Sequence, residues 1–188
     1  MDVMEAIRGR HSYRSFRETE VPREVLDLLV EAAALAPSSL NIQPVRLIVA
    51  TGETRRALGR VISLTTVHLA EYVEVLGPEL YEKAVEFYGD LGASPVAVAV
   101  TLPKASGELQ RINELLAAGT AVENMLLVAT REGLGACNLT VSFWVRDELA
   151  ELLRLPEDRE VVSVIVLGYP DEVPHAPEHR LDIATFLE

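Results

Sequence analysis

Residues 36–44 read Ala36-Pro37-Ser38-Ser39-Leu40-Asn41-Ile42-Gln43-Pro44, a run of short polar side chains framed by prolines. Upstream, Val25, Leu28, Leu29, Ala32 and Ala33 recur at helical spacing after Pro22, which opens the helix, and Pro37 stops it. Downstream, Val45-Arg46-Leu47-Ile48-Val49 reads as a strand that Gly52 ends. The run is therefore a helix-to-strand connection. Taken alone it is an ordinary capped turn, because Ser and Asn side chains satisfy stray backbone groups at helix ends.

Working outward, Asp2 to Arg8 reads as a short helix leading into a polar, arginine-bearing turn. Two or three helices are expected between Glu53 and Tyr88, where Gly59, Gly77 and Pro78 interrupt a mixed apolar spacing. Val96 to Val100 is a buried strand by its β-branched content and lack of alternation. A long helix over Glu108 to Glu132 carries Leu109, Ile112, Leu115, Leu116, Val122, Met125, Leu126 and Val128 on a broad apolar stripe, with Gly133 as its cap. A strand at Ala136 to Val141, a helix at Val145 to Leu153 and a buried strand at Val161 to Leu167 follow. Gly168 to Pro170 then turns into an irregular tail, too apolar at Leu181, Ile183, Phe186 and Leu187 to float free. Strands separated by helices permit a mixed or a parallel sheet. No repeat, low-complexity tract or flexible linker divides the chain, so residues 1–188 are expected to share one domain.

The chain has 188 residues and is 49% hydrophobic, enough for a substantial core. It shows no secretory leader, and its apolar runs look short for a bilayer crossing, so no membrane partner is expected and the location reads as cytoplasmic. The single cysteine, Cys137, cannot form an internal disulfide. A net charge of -12 argues against a nucleic-acid partner, whose phosphates need a positive surface. Against that background, residues 1–17 carry Arg8, Arg10, His11, Arg14 and Arg17. This local reversal hints at an anion site, although Asp2, Glu5, Glu18 and Glu20 could offset a plain solvated face.

Neither a G-x-G-x-x-G after a strand nor a P-loop is present, so a cofactor phosphate would have to be held by side chains. Arg10-His11-Ser12-Tyr13-Arg14 offers two guanidinium groups and a hydroxyl for that task. Other candidates read as structural. Cys137 lacks a nearby His or acid and reads as buried packing. His175 and His179 flank Glu178, but Pro174 and Pro177 deny them a shared helical face, so no metal is expected. His68 receives no role, and Phe143 and Trp144 read as core or interface aromatics.

Together these segments resemble the nitroreductase family of flavoproteins. The resemblance covers nearly the whole chain and has four ordered parts. These are R-x-S-x-R-x-F at Arg10, Ser12, Arg14 and Phe16; A-P-S-S-x-N-x-Q-P from Ala36 to Pro44; G-L-G at Gly133 to Gly135; and L-G-Y-P from Leu167, followed by Arg180. It implies an α+β, nitroreductase-like fold with a mixed central sheet surrounded by helices, in an intertwined homodimer holding FMN at the interface. By resemblance, Arg10 and Ser12 are phosphate ligands, His11 adds backbone or ring contacts, and Arg180 is a second phosphate cation assisted by His179. Arg14 falls where the family has a cation near flavin N1 and the C2 carbonyl, the edge on which two-electron reduction leaves negative charge. Pro37, Ser38, Ser39 and Asn41 resemble the groups that reach the flavin from the partner subunit. Leu139 and Thr140 correspond to the strand edge facing flavin N5. The sequence departs from many relatives at Val45, where they have Trp, and residues 56–91, on the family's substrate face, find no match.

The activity this implies is FMN-dependent NAD(P)H oxidation, with hydride passed through flavin N5 to a small acceptor such as a nitroaromatic, quinone or enone. The chemistry lies on the flavin and asks no catalytic acid or nucleophile of the protein. Two alternatives stay open: a flavin sensor, store or delivery protein without turnover, and a divergent member with other flavin chemistry.

Overall fold

The fold is taken from a computed structural model, and the residues described are 1–69, 74, 77–173, 179–180 and 182–187. Helix α1 (Val3–Gly9) begins at a capping box in which Asp2 and Glu5 satisfy each other's backbone N–H groups. Helix α2 (Arg23–Ala34) starts directly after Pro22. Strand β1 (Arg46–Thr51), α3 (Gly52–Ser63), α4 (Thr66–Leu69) and α5 (Pro78–Asp90) follow, so the middle region is largely helical where it is described. Then come β2 (Val96–Pro103), α6 (Glu108–Arg131), β3 (Gly135–Leu139), α7 (Arg146–Leu152) and β4 (Arg159–Gly168).

The four strands form one sheet in the order β1-β2-β4-β3. All three ladders are antiparallel, with Val98 opposite both Val49 and Ile165, and Cys137 opposite Val166. The expected mixed sheet therefore survives only at its margin. Among the described residues, the one parallel pairing is an isolated bridge between Ser12 and Ala136. Intervening helices do not dictate strand direction, because a helix lying across a sheet can return the chain to either end.

Both faces of the sheet are covered, which explains strands without polar alternation. Val96, Val98, Val100 and Leu102 pack with Ile165 and Leu167 against Leu26 and Leu29 of α2 and Ala121, Met125 and Leu126 of α6. Their strand neighbours Ala97, Ala99, Val164 and Val166 face Leu58, Ile62, Phe87, Leu91 and Leu149 on the other side.

Helix α6 corrects the single stripe expected of it. Its buried set runs Glu114, Ala117, Ala118, Ala121, Val122, Met125, Leu126 and Ala129. Leu109, Ile112, Leu115 and Leu116 lie exposed instead. The helix is apolar on more than one side, and one chain covers only part of it. By length and composition alone α6 could cross a bilayer, contrary to the short runs read from sequence, but its buried set is built into this core. The tail also departs from expectation, since Ile183, Phe186 and Leu187 are all exposed within one chain. Leu181 lies outside the described residues.

Candidate functional site

The arginine-bearing segment leaves α1 in extended conformation and docks beside β3, the edge strand that borders β4. The Tyr13 N–H donates to the Ala136 carbonyl at 3.1 Å. Contact is close because Gly135 has no side chain: a Cβ there would meet the Tyr13 ring at 2.6 Å. Further along, Phe16 bridges to Pro170, and the Arg17 N–H donates to the Tyr169 carbonyl at 2.9 Å. The segment is thus pinned at both ends. Arg10, Ser12 and Arg14 occupy alternate positions on it, and Ser12 and Arg14 are exposed. Alternation along an extended chain directs all three to one side.

Each cation is held differently. Arg10 Nε lies 3.3 Å from Glu123 Oε1 on α6, leaving its terminal nitrogens available. The Arg14 guanidinium makes one long contact, Nη1 to the Ser12 carbonyl at 3.4 Å, and has no carboxylate partner among the described residues. Its charge acts on two neighbours. Burial pushes the Cys137 thiol up, while Arg14 and a hydrogen bond from Ser12 pull against that shift. The Tyr88 phenol is also raised, first by burial and then by Cys137, with Arg14 again opposing. Tyr88 comes from the helical region that sequence comparison could not match, so α5 does reach this site. His11 is half-buried between these arginines in the chain.

Leu139 is buried in the core, with its strand paired to Val164 of β4. Thr140, the next residue, is exposed. Thr140 lies just past the end of β3, with φ of -95° and ψ of -6°, where the chain leaves the strand and turns into residues Val141–Val145. Of the two residues expected at the flavin edge, Thr140 is the accessible one.

The Pro37–Pro44 loop has a shape of its own. Leu40, Asn41 and Gln43 all have positive φ, at 51°, 55° and 47°, a conformation costly for residues other than glycine. The Ser38 hydroxyl accepts from the Gln43 N–H at 2.9 Å, and the Asn41 carbonyl oxygen accepts from Gln43 Nε2 at 3.1 Å. Two arginines that sequence reading missed hold its exit. Arg46 Nη1 donates to the carbonyls of Gln43 and Val45 at 2.9 and 2.8 Å, and Arg159 Nη2 donates to that of Pro44 at 2.9 Å. Three consecutive carbonyls are thereby satisfied by guanidinium groups. Pro37 itself receives a long contact from the Thr120 hydroxyl at 3.4 Å.

Within one chain, no hydrogen bond or ion pair among the described residues joins Ser38, Ser39 or Asn41 to the Arg10–Arg14 segment. The cavities do not unite them either. A groove of about 1100 Å³ runs along β1 and α2 beside Arg55, away from Arg10, Ser12 and Arg14. A smaller pocket of about 330 Å³ lies behind the loop, between α2 and α6, and includes Pro37 and Ser38. His179 and Arg180 are exposed in the tail and make no hydrogen bond or ion pair among the described residues. His175 lies outside those residues. His68 stacks on Trp144 with ring centroids 5.0 Å apart, and Phe143 is exposed beneath the Arg146 guanidinium, so neither aromatic is a core residue of this chain.

A sheet covered by helices on both faces, with two arginines flanking a serine on the segment docked at its edge, defines the class as α+β. Within that class the chain belongs to the nitroreductase family, whose model matches residues 7–169. It is 31% identical to the 4-nitrobenzoate reductase of Nocardioides sp., over 88% of this chain and 79% of that protein. It is 27% identical to an NADH dehydrogenase of Thermus thermophilus, over 97% of this chain and 93% of the relative. A solved structure from Desulfovibrio desulfuricans in complex with FMN is similar throughout, with a TM-score of 0.77 at 25% identity, covering 100% of this chain and 97% of that one.

The residues present suit FMN on chemical grounds. A monophosphate needs charge-assisted donors, which Arg10 and Ser12 provide, and the pyrimidine edge needs a cation, which Arg14 can supply two positions further along. The thiol and phenol behind Arg14 are both raised, so they add no full negative charge to compete with it at neutral pH.

Proposed function

We propose that the chain is an FMN-dependent NAD(P)H oxidoreductase that works as a homodimer on small acceptors such as nitroaromatics, quinones or enones. The observation that carries this reading is the alternation of a half-buried Arg10 with an exposed Ser12 and Arg14 on a segment pinned beside β3. When bound, FMN would supply hydride exchange at its N5 with the nicotinamide and then with the acceptor. Arg10 and Ser12 bind the phosphate, with His11 beside them. Arg14 faces the pyrimidine edge and stabilises negative charge there. Thr140, with Leu139 fixing its strand, offers backbone to the N5 side.

Two copies are supported by what one chain leaves uncovered. Leu109, Ile112 and Leu116 of α6 are 72%, 48% and 65% exposed, an apolar face of the kind that obligate interfaces bury. Among the described residues, Pro37, Ser38, Ser39 and Asn41 make no hydrogen bond or ion pair to their own chain's Arg10–Arg14 segment, which agrees with their serving the partner's flavin. His179 and Arg180, in a tail whose apolar residues are also uncovered, are proposed to close over the phosphate in that assembly. A cytoplasmic location agrees with this chemistry and with an α6 that is built into the core.

The test is direct. Protein purified without added cofactor should be yellow, and heat extraction followed by chromatography should release FMN and no FAD. Rapid mixing with NADH and with NADPH should bleach the colour. A colourless protein that cannot be reconstituted with FMN would overturn the reading, and a yellow protein reduced by neither nicotinamide would leave flavin binding without the proposed activity.

A further inference from the structure

We propose that Glu172 is the positioning residue for Arg14, holding its backbone so that the guanidinium is presented to the pyrimidine edge of the flavin; this rests on the FMN reading above. Glu172 stands 158 positions away in the chain, just beyond the Tyr169-Pro170 turn. Its Oε1 accepts the N–H of Arg14 and also that of Ser15, the latter at 3.1 Å. Two successive amides converge on one oxygen only where the backbone bends between them, so the carboxylate defines the bend from which the Arg14 side chain departs.

The neighbouring contacts make this a grip on one residue. The Asp171 N–H donates to the Ser15 carbonyl at 3.0 Å, which brings Glu172 into register with Arg14. Against the same stretch, residues Leu91, Gly92 and Ala93 form a left-handed turn with φ of 59°, 60° and 58°. That turn lies so close that a Cβ at Gly92 would stand 2.0 Å from the Arg14 carbonyl oxygen. The Gly92 carbonyl accepts the Phe16 N–H at 2.9 Å. Arg14 is therefore bonded at its N–H and packed at its C=O, while its guanidinium makes only the long contact to the Ser12 carbonyl among the described residues. Arg10 is the reverse case, with its side chain already paired to Glu123. An ionised acceptor suits the task because amide bonds to a carboxylate are about twice as strong as neutral ones.

The test compares two neutral replacements. Glu172→Gln removes the charge and keeps an acceptor oxygen, whereas Glu172→Ala removes both. Each is made in the wild-type protein and in Arg14→Ala, and the flavin midpoint potential is measured in all of them. With Arg14 present, the Ala variant should lie below the Gln variant by roughly 15 mV, about a threefold loss of preference for the reduced cofactor at ~30 mV per tenfold. With Arg14 absent, the two should coincide. Equal potentials with Arg14 present, or an undiminished difference without it, would overturn the proposal. Amide exchange on the flavin-free protein separates the two layers of the argument. The Arg14 and Ser15 amides should exchange faster in Glu172→Ala than in Glu172→Gln, and unchanged exchange rejects the grip. A wild-type protein that takes up no FMN rejects the flavin reading instead.

Discussion

Arg10, at the end of α1, points its Nε to within 3.3 Å of Glu123 Oε1 on α6, so the cation proposed for the phosphate is aimed by the longest described helix. The pair is partly exposed and contributes little to stability by itself. Glu123→Ala should therefore leave the unfolding midpoint of the flavin-free protein nearly unchanged. Arg10→Ala should loosen FMN strongly, since a guanidinium contact to phosphate is worth roughly 1.5 to 3 kcal/mol, or about tenfold to hundredfold in affinity. Thermal unfolding checks the first and fluorescence titration with FMN the second. Unaltered affinity in Arg10→Ala would remove it from the phosphate site.

Arg14→Ala should act on energy more than on occupancy. If its guanidinium faces the edge where charge accumulates, as proposed, its loss should lower the flavin midpoint potential while some FMN stays bound. Spectroelectrochemistry of the two arginine variants separates their roles. Identical affinity losses with no change of potential in either would contradict the division.

Gly92→Ala combines a left-handed φ of 60° with a Cβ 2.0 Å from the Arg14 carbonyl. Overpacking and backbone strain each cost about 1–3 kcal/mol, which in a domain of this size lowers Tm by on the order of 5 °C or more. Gly89, on α5 with open space where a Cβ would go, serves as the control. Calorimetry should find Gly89→Ala neutral or slightly stabilising. Equal effects at the two positions would mean the turn yields easily.

Mixed dimers test how the site is shared. One subunit carries Arg10→Ala with Arg14→Ala, the other Ser38→Ala with Asn41→Ala, each pair nearly inactive as a homodimer. In the heterodimer one composite site collects all four changes and the other none, so about half of wild-type activity should return per dimer. Activity remaining at the mutant level would mean that each site is built within one chain.

Cys137 should behave as packing. Burial raises its thiol, with Arg14 and Ser12 only partly opposing. The reactive thiolate is therefore scarce at neutral pH, and becomes available only as pH rises through the elevated value or as the chain unfolds. Iodoacetamide should label the native protein slowly and the denatured protein fast. Rapid native labelling at pH 7 would show that the thiol is reachable and activated.

Local signals carried much of the fold. Pro22 and Pro37 bracket α2, the β-branched run after Pro95 is β2, and α6 begins at Glu108 as its periodicity predicts. Strand direction was not legible, because β2 and β4 are apolar on both faces and their residues look alike in either orientation. β4 also begins at Arg159, two residues before the expected Val161, since Arg159 and Glu160 are polar yet pair with Pro103 and Leu102. Within the candidate site, Arg10, Ser12 and Arg14 were singled out by the family resemblance, since their pattern alone is weak. Glu172 and Arg159 could not, because they meet Arg14 and Pro44 across 158 and 115 positions and leave no trace in neighbouring residues.

The loop from Pro37 to Pro44 keeps its left-handed residues beside carbonyls held by Arg46 and Arg159. Burial and the charge of Arg46 lower the Arg159 guanidinium, yet an arginine starts so far above neutrality that it stays charged wherever the protein is folded. A histidine or carboxylate in that role would have made the loop a sensor of acidity. Built on guanidinium groups, the loop's exit is held by charges that persist across the pH range in which the protein is folded.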